Sequence, residues 1–252
     1  MIVINGRLAS YAEIWFDEER PRNVAADVLI FRQRPAPLDS GTCTPFLTLV
    51  SDLSMDETRI MEGFGNTNRY KIRRAETKDG LEAAFVTDPL ARLDEFCEFY
   101  DAFAREKSMQ PAYRRGLVAA SAARQLVLTS ASRGGEPLVW HAYVISAKRA
   151  ALLHSASHFR GRENSDRALC GRANRWLHWR DMLSFRQMGL LQYDWGGLFE
   201  NETDAEHASI NHFKSEFGGR REQTYECTLP LTAKGRLYLL ARGTLERLKE
   251  RA

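Results

Sequence analysis

The chain has 252 residues, of which 44% are apolar and 27% are charged, and its formal net charge is +3 at neutral pH. These values are typical of globular proteins and exclude the disordered, collagen-like and disulfide-scaffold classes. No apolar stretch approaches the roughly 20 residues of a spanning helix, and the first residues lack the regions of a secretion signal. We therefore expect one large domain or two of moderate size, in the cytoplasm and without a membrane span.

The cysteines and the overall charge point to no particular chemistry. Cys43, Cys97, Cys170 and Cys227 are widely spaced, and no pair of histidines has the spacing of a zinc helix. We interpret the cysteines as buried free thiols and expect no metal. The net charge of +3 is too small to indicate a nucleic acid partner by itself. Only seven of the 36 basic residues are lysines, so each lysine stands out.

In the first part of the chain, short β-prone runs are expected to form strands at 2–4, 12–16, 28–31 and 46–50. Residues 34–45 contain three prolines and predict a loop. Ser54 is the expected N-cap of a helix that runs towards Phe64, with Glu57 in the capping-box position. A strand at 81–86 and a helix opened by Pro89 follow. The apolar spacing in that helix predicts one buried face, made by Leu93, Phe96, Phe99, Tyr100 and Phe103.

From residue 125 onward the pattern changes to three consecutive antiparallel strands and then to alternating helices and strands. The expected strands span 125–130, 138–145, 150–155, 190–194 and 223–229, and the expected helices span 167–188 and 204–215. This order predicts an α+β fold with a mixed sheet covered by helices on both faces.

Two strings in the second half carry the strongest functional signal. YDWGG at 193–197 ends a predicted buried strand, and FKSEFGG at 213–219 ends the next helix. Together with RYKIRRAE at 69–76, they resemble the FemAB-like branch of the GNAT acyltransferase superfamily. The resemblance covers about residues 60–230 and implies a GNAT-like mixed central sheet flanked by helices.

The sequence departs from this family in two ways. FemAB-like proteins carry two GNAT-type domains, whereas residues 1–80 look like an abbreviated β-rich half-domain with a basic helix, and 81–252 like one complete acyltransferase domain. The coenzyme A signature Q/R-x-x-G-x-G/A is also incomplete. Gly171 and Ala173 supply its second half, but Arg167 is one position out of register. This departure favours a donor other than acyl-CoA, whereas the abbreviated first domain and the small net charge argue against aminoacyl-tRNA.

The resemblance implies that Phe213 and Lys214 lie beside the acyl-transfer centre, where they hold the donor and stabilise negative charge. Asp194 ends an expected central strand, where ligands and catalytic protons are commonly met. Alternatively, it shapes the glycine turn that follows. Tyr193 points to the other face, so only one of these two residues can carry the proton from a given side. His158 is a third candidate for the general base.

A loop rich in arginine precedes the long helix, and the free N–H groups at a helix start favour anions. Arginines are also interleaved with Trp176 and Trp179 in that helix, a combination that suits a phosphate-bearing donor. The alternative is a solvated helix face with Trp176 in the core. The residues assigned to donor cofactor binding are Arg160, Gly161, Arg162, Gly171, Arg172 and Arg175.

A second basic cluster could bind an anionic acceptor such as a phosphate-linked saccharide or a nucleic acid. The alternative is a solvated basic helix end near Glu76 and Asp79. The residues assigned to substrate binding are Arg69, Lys71, Arg73, Arg74 and Trp195.

These observations predict an N-acyltransferase that moves an acyl group from an activated donor, with acyl-CoA as first choice, to an amine acceptor. A cell-envelope or saccharide precursor would suit as acceptor, and no tightly bound cofactor is expected. The first alternative is a FemAB-type transferase that uses aminoacyl-tRNA, which makes tRNA a partner. An alternative of another class is a non-catalytic binding module with the same fold. The sequence does not specify the oligomeric state.

Overall fold

The computed structural model describes residues 1–16, 23–146, 148–158, 164–200 and 204–249, with side chains up to residue 244. The chain divides into two compact units. Unit 1 consists of Met1–Leu47, Arg115–Arg124 and Gln223–Ala252, and unit 2 consists of Thr48–Arg114 and Gln125–Glu222. The expected boundary at residue 80 lies inside unit 2.

The described strands are β1 (Ile2–Asn5), β2 (Ser10–Trp15), β3 (Val28–Arg34), β4 (Thr42–Asp52), β5 (Glu82–Val86), β6 (Leu126–Arg133), β7 (Glu136–Ile145), β8 (Arg149–Ser157), β9 (Gln192–Gly197) and β10 (Arg220–Pro230). The described helices are α1 (Glu57–Glu62), α2 (Asn66–Lys78), α3 (Leu93–Glu106), α4 (Arg114–Ala122), α5 (Asn164–Gln187), α6 (Ala205–Ser215) and α7 (Ala233–Lys249). A 3-10 turn, Pro89–Arg92, leads directly into α3. The sequence patterns did not predict α4 and α7.

The strands of unit 1 lie in the order β1-β2-β3-β10. The β2 and β3 strands are parallel, and the other neighbouring pairs are antiparallel. A disulfide joins Cys43 to Cys227, which is fully buried in the core of this unit. The interpretation of all four cysteines as free thiols is therefore wrong for this pair. It is right for Cys97 and Cys170, which are buried free thiols in unit 2.

The strands of unit 2 lie in the order β4-β9-β8-β7-β6-β5, of which β6 to β9 were expected from the second half of the sequence and β4 and β5 from the first. The strands from β5 to β8 pair antiparallel, β8 and β9 pair parallel, and β9 and β4 pair antiparallel. This confirms the predicted α+β class with a mixed sheet.

Helices cover both faces of the unit 2 sheet. Trp140 and His141 are neighbours on β7 and therefore point to opposite faces. The Trp140 ring lies 6.1 Å from the Phe96 ring of α3, and His141 bonds to Asp181 of α5. Both side chains are fully buried, so α3 and α5 close the two faces of the sheet.

Three expected boundaries need correction. Asp56, not Ser54, caps α1 by accepting the Arg59 N–H at 2.9 Å, because Ser54 donates its own N–H and hydroxyl to Asp52. The predicted loop at 34–45 is shorter, since β3 includes its first residue and β4 begins at Thr42. The strand expected at 190–194 instead spans the β9 residues and includes both glycines.

Gly196 allows β9 to continue beyond Asp194. Its φ is +72°, and a Cβ at this position would lie 3.0 Å from the Leu152 carbonyl oxygen of β8. Only glycine adopts this conformation without strain. None of the helices in the described ranges has the length and apolar composition needed to cross a membrane.

Candidate functional site

The parallel strands β8 and β9 pair over only three positions. The backbone pairs are Arg149 with Gln192, Ala150 with Tyr193 and Ala151 with Asp194, and the pairing between these strands ends there. Beyond this point β8 continues along β7 to Ser157, whereas Gly197 of β9 pairs with Thr48 of β4. The ends of the two strands therefore carry backbone groups that they do not share with each other. Such groups can bind a polar ligand that enters between the strands.

Lys214 lies at the end of β9. Its Nζ donates to the Gly197 carbonyl oxygen at 2.6 Å, and burial lowers the pKa of Lys214 to about 8. The neighbouring Phe213 ring is half-buried, and the Arg175 guanidinium lies 4.8 Å from its centre. The two residues that the resemblance assigns to the transfer centre are thus both next to the separated strand ends.

Asp194 is fully buried and participates in an ion pair. Its Oδ2 accepts from Arg149 Nε at 2.9 Å and Nη2 at 2.7 Å, and its Oδ1 accepts from the Gly196 N–H at 2.8 Å and from the Thr48 hydroxyl. Burial is the main cause of a raised Asp194 pKa, and the charge of Arg149 opposes it. This environment agrees with the alternative role of shaping the glycine turn.

Tyr193 points to the other face, as the strand geometry requires, and belongs to a buried polar network. Its hydroxyl lies 2.7 Å from His178 Nδ1 and 2.8 Å from the Tyr143 hydroxyl. The Tyr143 hydroxyl in turn donates to Asp181 Oδ2 at 2.5 Å. His141 joins this network with its Nδ1 2.8 Å from the same carboxylate oxygen. Five ionisable side chains are thus linked in the interior of unit 2.

The network has a spacing that metal sites also use. One nitrogen of His141, one nitrogen of His178 and one oxygen of Asp181 lie within 4.8 Å of one another. Nδ1 of His178 lies 2.7 Å from the Tyr193 hydroxyl, and Asp181 Oδ2 accepts from Tyr143 and lies 2.8 Å from His141 Nδ1. We therefore treat the cluster as a hydrogen-bonded network, and the expectation of no metal stays a prediction.

The arginines assigned to donor binding lie well inside α5 and not at its first turn. Arg172 forms a two-point ion pair with Asp79, with Nε 2.5 Å and Nη2 3.0 Å from the carboxylate. Arg175 donates to Asn68 at 2.7 Å and to the Gly171 carbonyl at 3.1 Å. These arginines join α5 to α2. Arg160, Gly161 and Arg162, also assigned to donor binding, lie outside the described residues.

The basic cluster assigned to substrate binding divides between two faces of α2. Arg73 and Arg74 are exposed, and Arg69 donates to the Glu62 carbonyl at 2.9 Å. Lys71 is half-buried, and its ammonium makes no hydrogen bond or ion pair with any described residue. Desolvation and the charge of Arg175 lower the Lys71 pKa. Lys71 is thus a half-buried member of the cluster, and the charge of Glu216 opposes the lowering of its pKa.

Two other predicted site residues have structural partners. His158 Nε2 lies 3.0 Å from the Phe99 carbonyl oxygen, and its ring packs edge-on against the Phe99 ring at 4.2 Å. Trp195 is 1% exposed and donates its indole N–H to Ser51 at 3.0 Å, so it is a core residue. Neither side chain has a described contact with Lys214 or Gly197 at the end of β9.

Unit 2 also contains a cavity of about 470 Å³ that no sequence pattern indicated. Residues from β4, α1 and the segment after α6 line it, among them Ser51, Arg59, Phe217 and Arg220. The cavity contains none of the predicted site residues. It offers two guanidinium groups and an aromatic wall to a small ligand.

The sequence patterns did not indicate a functional role for His178, His141 or Asp181. Asn174, His178 and Asp181 are spaced by four and three residues, which places them on one face of α5. His141 and Tyr143 alternate on β7 and so share a face. Two signals were available in the sequence. One was the row of polar residues on one face of α5 among apolar residues, and the other was the pair of ionisable residues two positions apart in the buried strand β7.

The chain resembles several solved structures, although no protein-family model and no curated protein matches it. FemX aligns with a TM-score of 0.63 and 14% identity over 85% of this chain and 74% of that chain. The C-terminal domain of a putative lysylphosphatidylglycerol synthetase from Agrobacterium fabrum aligns with a TM-score of 0.57 and 15% identity, over 86% and 72%. L-PGS from Bacillus licheniformis aligns with a TM-score of 0.51 and 14% identity, over 85% and 72%. At these identities the likeness shows the fold alone, and it confirms the fold that the resemblance implied.

Proposed function

We propose that this chain is an acyltransferase and that unit 2 performs the reaction. The observation that carries this proposal is the position of Lys214, whose Nζ is 2.6 Å from the last carbonyl of β9 where that strand leaves β8. The backbone pairing of β8 with β9 ends just before this point, and a partly desolvated cation stands at the end of β9. This arrangement suits a reaction in which an oxyanion forms.

In the proposed reaction, an amine of the acceptor attacks the carbonyl carbon of an activated donor. The negative charge that develops on the carbonyl oxygen is stabilised by backbone N–H groups of the separated strands and by the Lys214 ammonium. Catalysis then depends mainly on holding the two reactants in line. The acceptor amine must also lose a proton, which requires a base within reach.

Acyl-CoA is the first choice of donor, and a cytoplasmic location would give access to it. The half-buried Lys71, with Arg172 and Arg175 acting on it electrostatically, supports binding of an anionic ligand beside α2 and α5. An amine on a small molecule or a saccharide precursor is the proposed acceptor. The donor binds as a substrate and is released, so no resident cofactor is needed.

Ligand-induced stabilisation tests the donor directly. A donor that binds only the folded protein raises its melting temperature. We expect acetyl-CoA or a longer acyl-CoA to raise the Tm of the wild type, and release of free thiol to follow when an amine is added. Lys214→Gln should bind the same donor but release thiol about 100-fold more slowly. A donor that stabilises both proteins without any thiol release, across a panel of amines, would argue against the proposal.

Aminoacyl transfer from tRNA is the second candidate. The alignments with FemX and with lysylphosphatidylglycerol synthetases favour it, since the latter name denotes attachment of a lysyl group to a lipid. The incomplete coenzyme A signature points the same way. Charged tRNA should then stabilise the protein in a strongly salt-dependent manner, with no effect of coenzyme A thioesters. Binding of an acceptor polymer without response to any donor would instead indicate a non-catalytic module.

A further inference from the structure

A continuous row of hydrogen bonds runs through the interior of unit 2. It starts at the Asp181 carboxylate, passes through the hydroxyls of Tyr143 and Tyr193, and ends at His178, with distances of 2.5, 2.8 and 2.7 Å between successive groups. Asp181 is 2% exposed, His178 is 1% exposed, and both tyrosines are fully buried. The chemistry proposed above does not yet use this row.

The hydrogens in this row can be oriented only one way while Asp181 is ionised. A carboxylate accepts and cannot donate, so the single hydroxyl hydrogen of Tyr143 points to Asp181. The Tyr143 oxygen must then accept from Tyr193, and the Tyr193 oxygen must accept from His178. His178 therefore carries its hydrogen on Nδ1. In the neutral ring, Nε2 holds a free lone pair.

The Nε2 atom of His178 makes no hydrogen bond with any described residue. Its ring is surrounded by the rings of Trp195 at 4.7 Å, Phe213 at 5.8 Å and Phe217 at 5.7 Å. Burial and the nearby cations hold the pKa of His178 well below its usual value, so the ring is neutral. The titratable and charged groups that face it from the surrounding elements are His141, Tyr193, Arg175 and Lys214.

The row therefore links a free imidazole lone pair beside the Phe213–Lys214 pair to a buried carboxylate. We propose that His178 is the base that deprotonates the acceptor amine, and that Tyr193 and Tyr143 pass the proton on to Asp181. This proposal rests on the acyltransferase function proposed above. His178 is the catalytic residue in it, whereas the two tyrosines and Asp181 act through it.

One proton moves along the row in each turnover. The acceptor ammonium gives one proton to His178 Nε2, directly or through one water molecule. The Nδ1 hydrogen of His178 moves to the Tyr193 oxygen, the Tyr193 hydrogen moves to the Tyr143 oxygen, and the Tyr143 hydrogen moves to Asp181. The row then contains a neutral carboxylic acid, two neutral tyrosines and a neutral histidine with its hydrogen on Nε2. The imidazole therefore carries no charge after the transfer. This favours the relay, because burial disfavours an imidazolium.

The freed amine attacks the acyl carbon, and the C–N bond forms as the bond to the donor's leaving group breaks. A second proton passes from the attacking nitrogen to the leaving group, which departs as a neutral thiol when the donor is a coenzyme A thioester. After the product leaves, the same steps in reverse return the first proton from Asp181 through His178 to solvent.

The tautomer of His178 tests the proposed direction of the row without any substrate. We expect nitrogen-15 NMR of the full chain, assigned with His178→Gln, to show His178 neutral at pH 7 with its hydrogen on Nδ1. Tyr193→Phe removes the acceptor of that hydrogen, and the ring should change to the Nε2–H tautomer that free imidazole favours. In Tyr143→Phe the Tyr193 hydroxyl loses its acceptor and can point its hydrogen to Nδ1, so the ring should change to the Nε2–H tautomer there too. An Nε2–H or a doubly protonated ring in the wild type would overturn the proposal.

The pH dependence of turnover tests the catalytic role. Tyr193→Phe and Tyr143→Phe should each lower kcat about 100-fold at pH 7 and leave KM unchanged, because the acceptor must then lose its proton to bulk water. The ratio of variant to wild-type kcat should rise towards one as the pH approaches the pKa of the acceptor amine. A variant that merely damages the structure would not recover in this way. Tyr100→Phe, at a buried tyrosine outside the row, is the matched control and should keep full activity.

The outcomes separate this proposal from the proposed function. Acyl transfer by the wild type, with full kcat and an unchanged pH profile in both tyrosine variants, would overturn the proton relay and leave the acyltransferase intact. The absence of transfer with every donor would overturn both. If either phenylalanine variant unfolds, the other one and His178→Gln still report on the relay, since each breaks it at a different step.

Discussion

The ammonium of Lys214 donates to the Gly197 carbonyl at 2.6 Å, and burial lowers the Lys214 pKa to about 8. If this cation stabilises the oxyanion, its loss above pH 8 should reduce transfer. We expect the rate to fall tenfold per pH unit above that value in the wild type. Lys214→Arg should move this fall to higher pH, because guanidinium keeps its proton there. Rates measured from pH 6 to 10 with a saturating donor check this.

Lys234→Arg provides the control for this comparison. Lys234 lies at the exposed start of α7 and pairs with Asp27 at 3.0 Å, so the same change should leave the pH profile unaltered. A fall in rate that has the same midpoint in the wild type and in Lys214→Arg would contradict an electrostatic role for Lys214.

Asp194→Asn should act mainly on stability. The carboxylate is fully buried and accepts two hydrogen bonds from Arg149, which is itself 6% exposed. Removing one partner of a buried ion pair costs about 3–5 kcal/mol of unfolding free energy, and because Arg149 keeps its ion pair with Glu222 at 2.9 Å, we expect a loss at the lower end of this range. Urea unfolding at pH 7 measures this loss. Asp204→Asn, at the N-cap of α6, should change the free energy by less than about 0.5 kcal/mol, since both residues cap helices equally well. A stable Asp194→Asn protein without activity would instead indicate a catalytic role.

Periodicity and turn residues predicted most of the unit 2 elements, because the apolar runs there are bounded by glycine, proline or charged residues. The buried face of α3 is as expected for Leu93, Phe96, Tyr100 and Phe103, whereas Phe99 is only partly buried. Local patterns failed where a side chain had a competing partner. Ser54 has the residue type of an N-cap, but its hydroxyl bonds to Asp52 at 2.7 Å.

The site was less predictable because it depends on contacts between distant parts of the chain. The motif indicated Lys214 and Tyr193, but it did not indicate that Asp194 pairs with Arg149, 45 residues away. The Cys43–Cys227 disulfide spans 184 residues and has no local signature. His178 was recognisable as one of six histidines, but its significance arises only when β7 and β9 bring two tyrosines beside α5.

Lys71→Ala should weaken binding of an anionic donor without destabilising the protein. Desolvation and the charge of Arg175 lower the Lys71 pKa more than the charge of Glu216 raises it, so an added anion would be stabilised by this ammonium. We expect about tenfold weaker binding by calorimetry and an unfolding free energy equal to or above that of the wild type. Arg172→Ala should behave differently, because Asp79 is 7% exposed and would lose both hydrogen bonds, at a cost of about 1–3 kcal/mol. An equal loss of unfolding free energy in Lys71→Ala and Arg172→Ala would contradict the different roles assigned to these two residues.

Reduction of the Cys43–Cys227 disulfide should destabilise the protein. The bond closes a loop of 184 residues, for which the chain-entropy relation gives a stabilisation of about 5 kcal/mol. Measured values are commonly smaller, so we expect a loss of about 2–5 kcal/mol in urea unfolding with reductant. Without reductant, a thiol reagent should label two of the four cysteines in denaturant. Cys97→Ala provides a control in which the effect of reductant persists. Disulfides are rare in reducing compartments, so labelling of all four thiols in protein isolated without air would contradict the disulfide and agree with the cytoplasmic expectation.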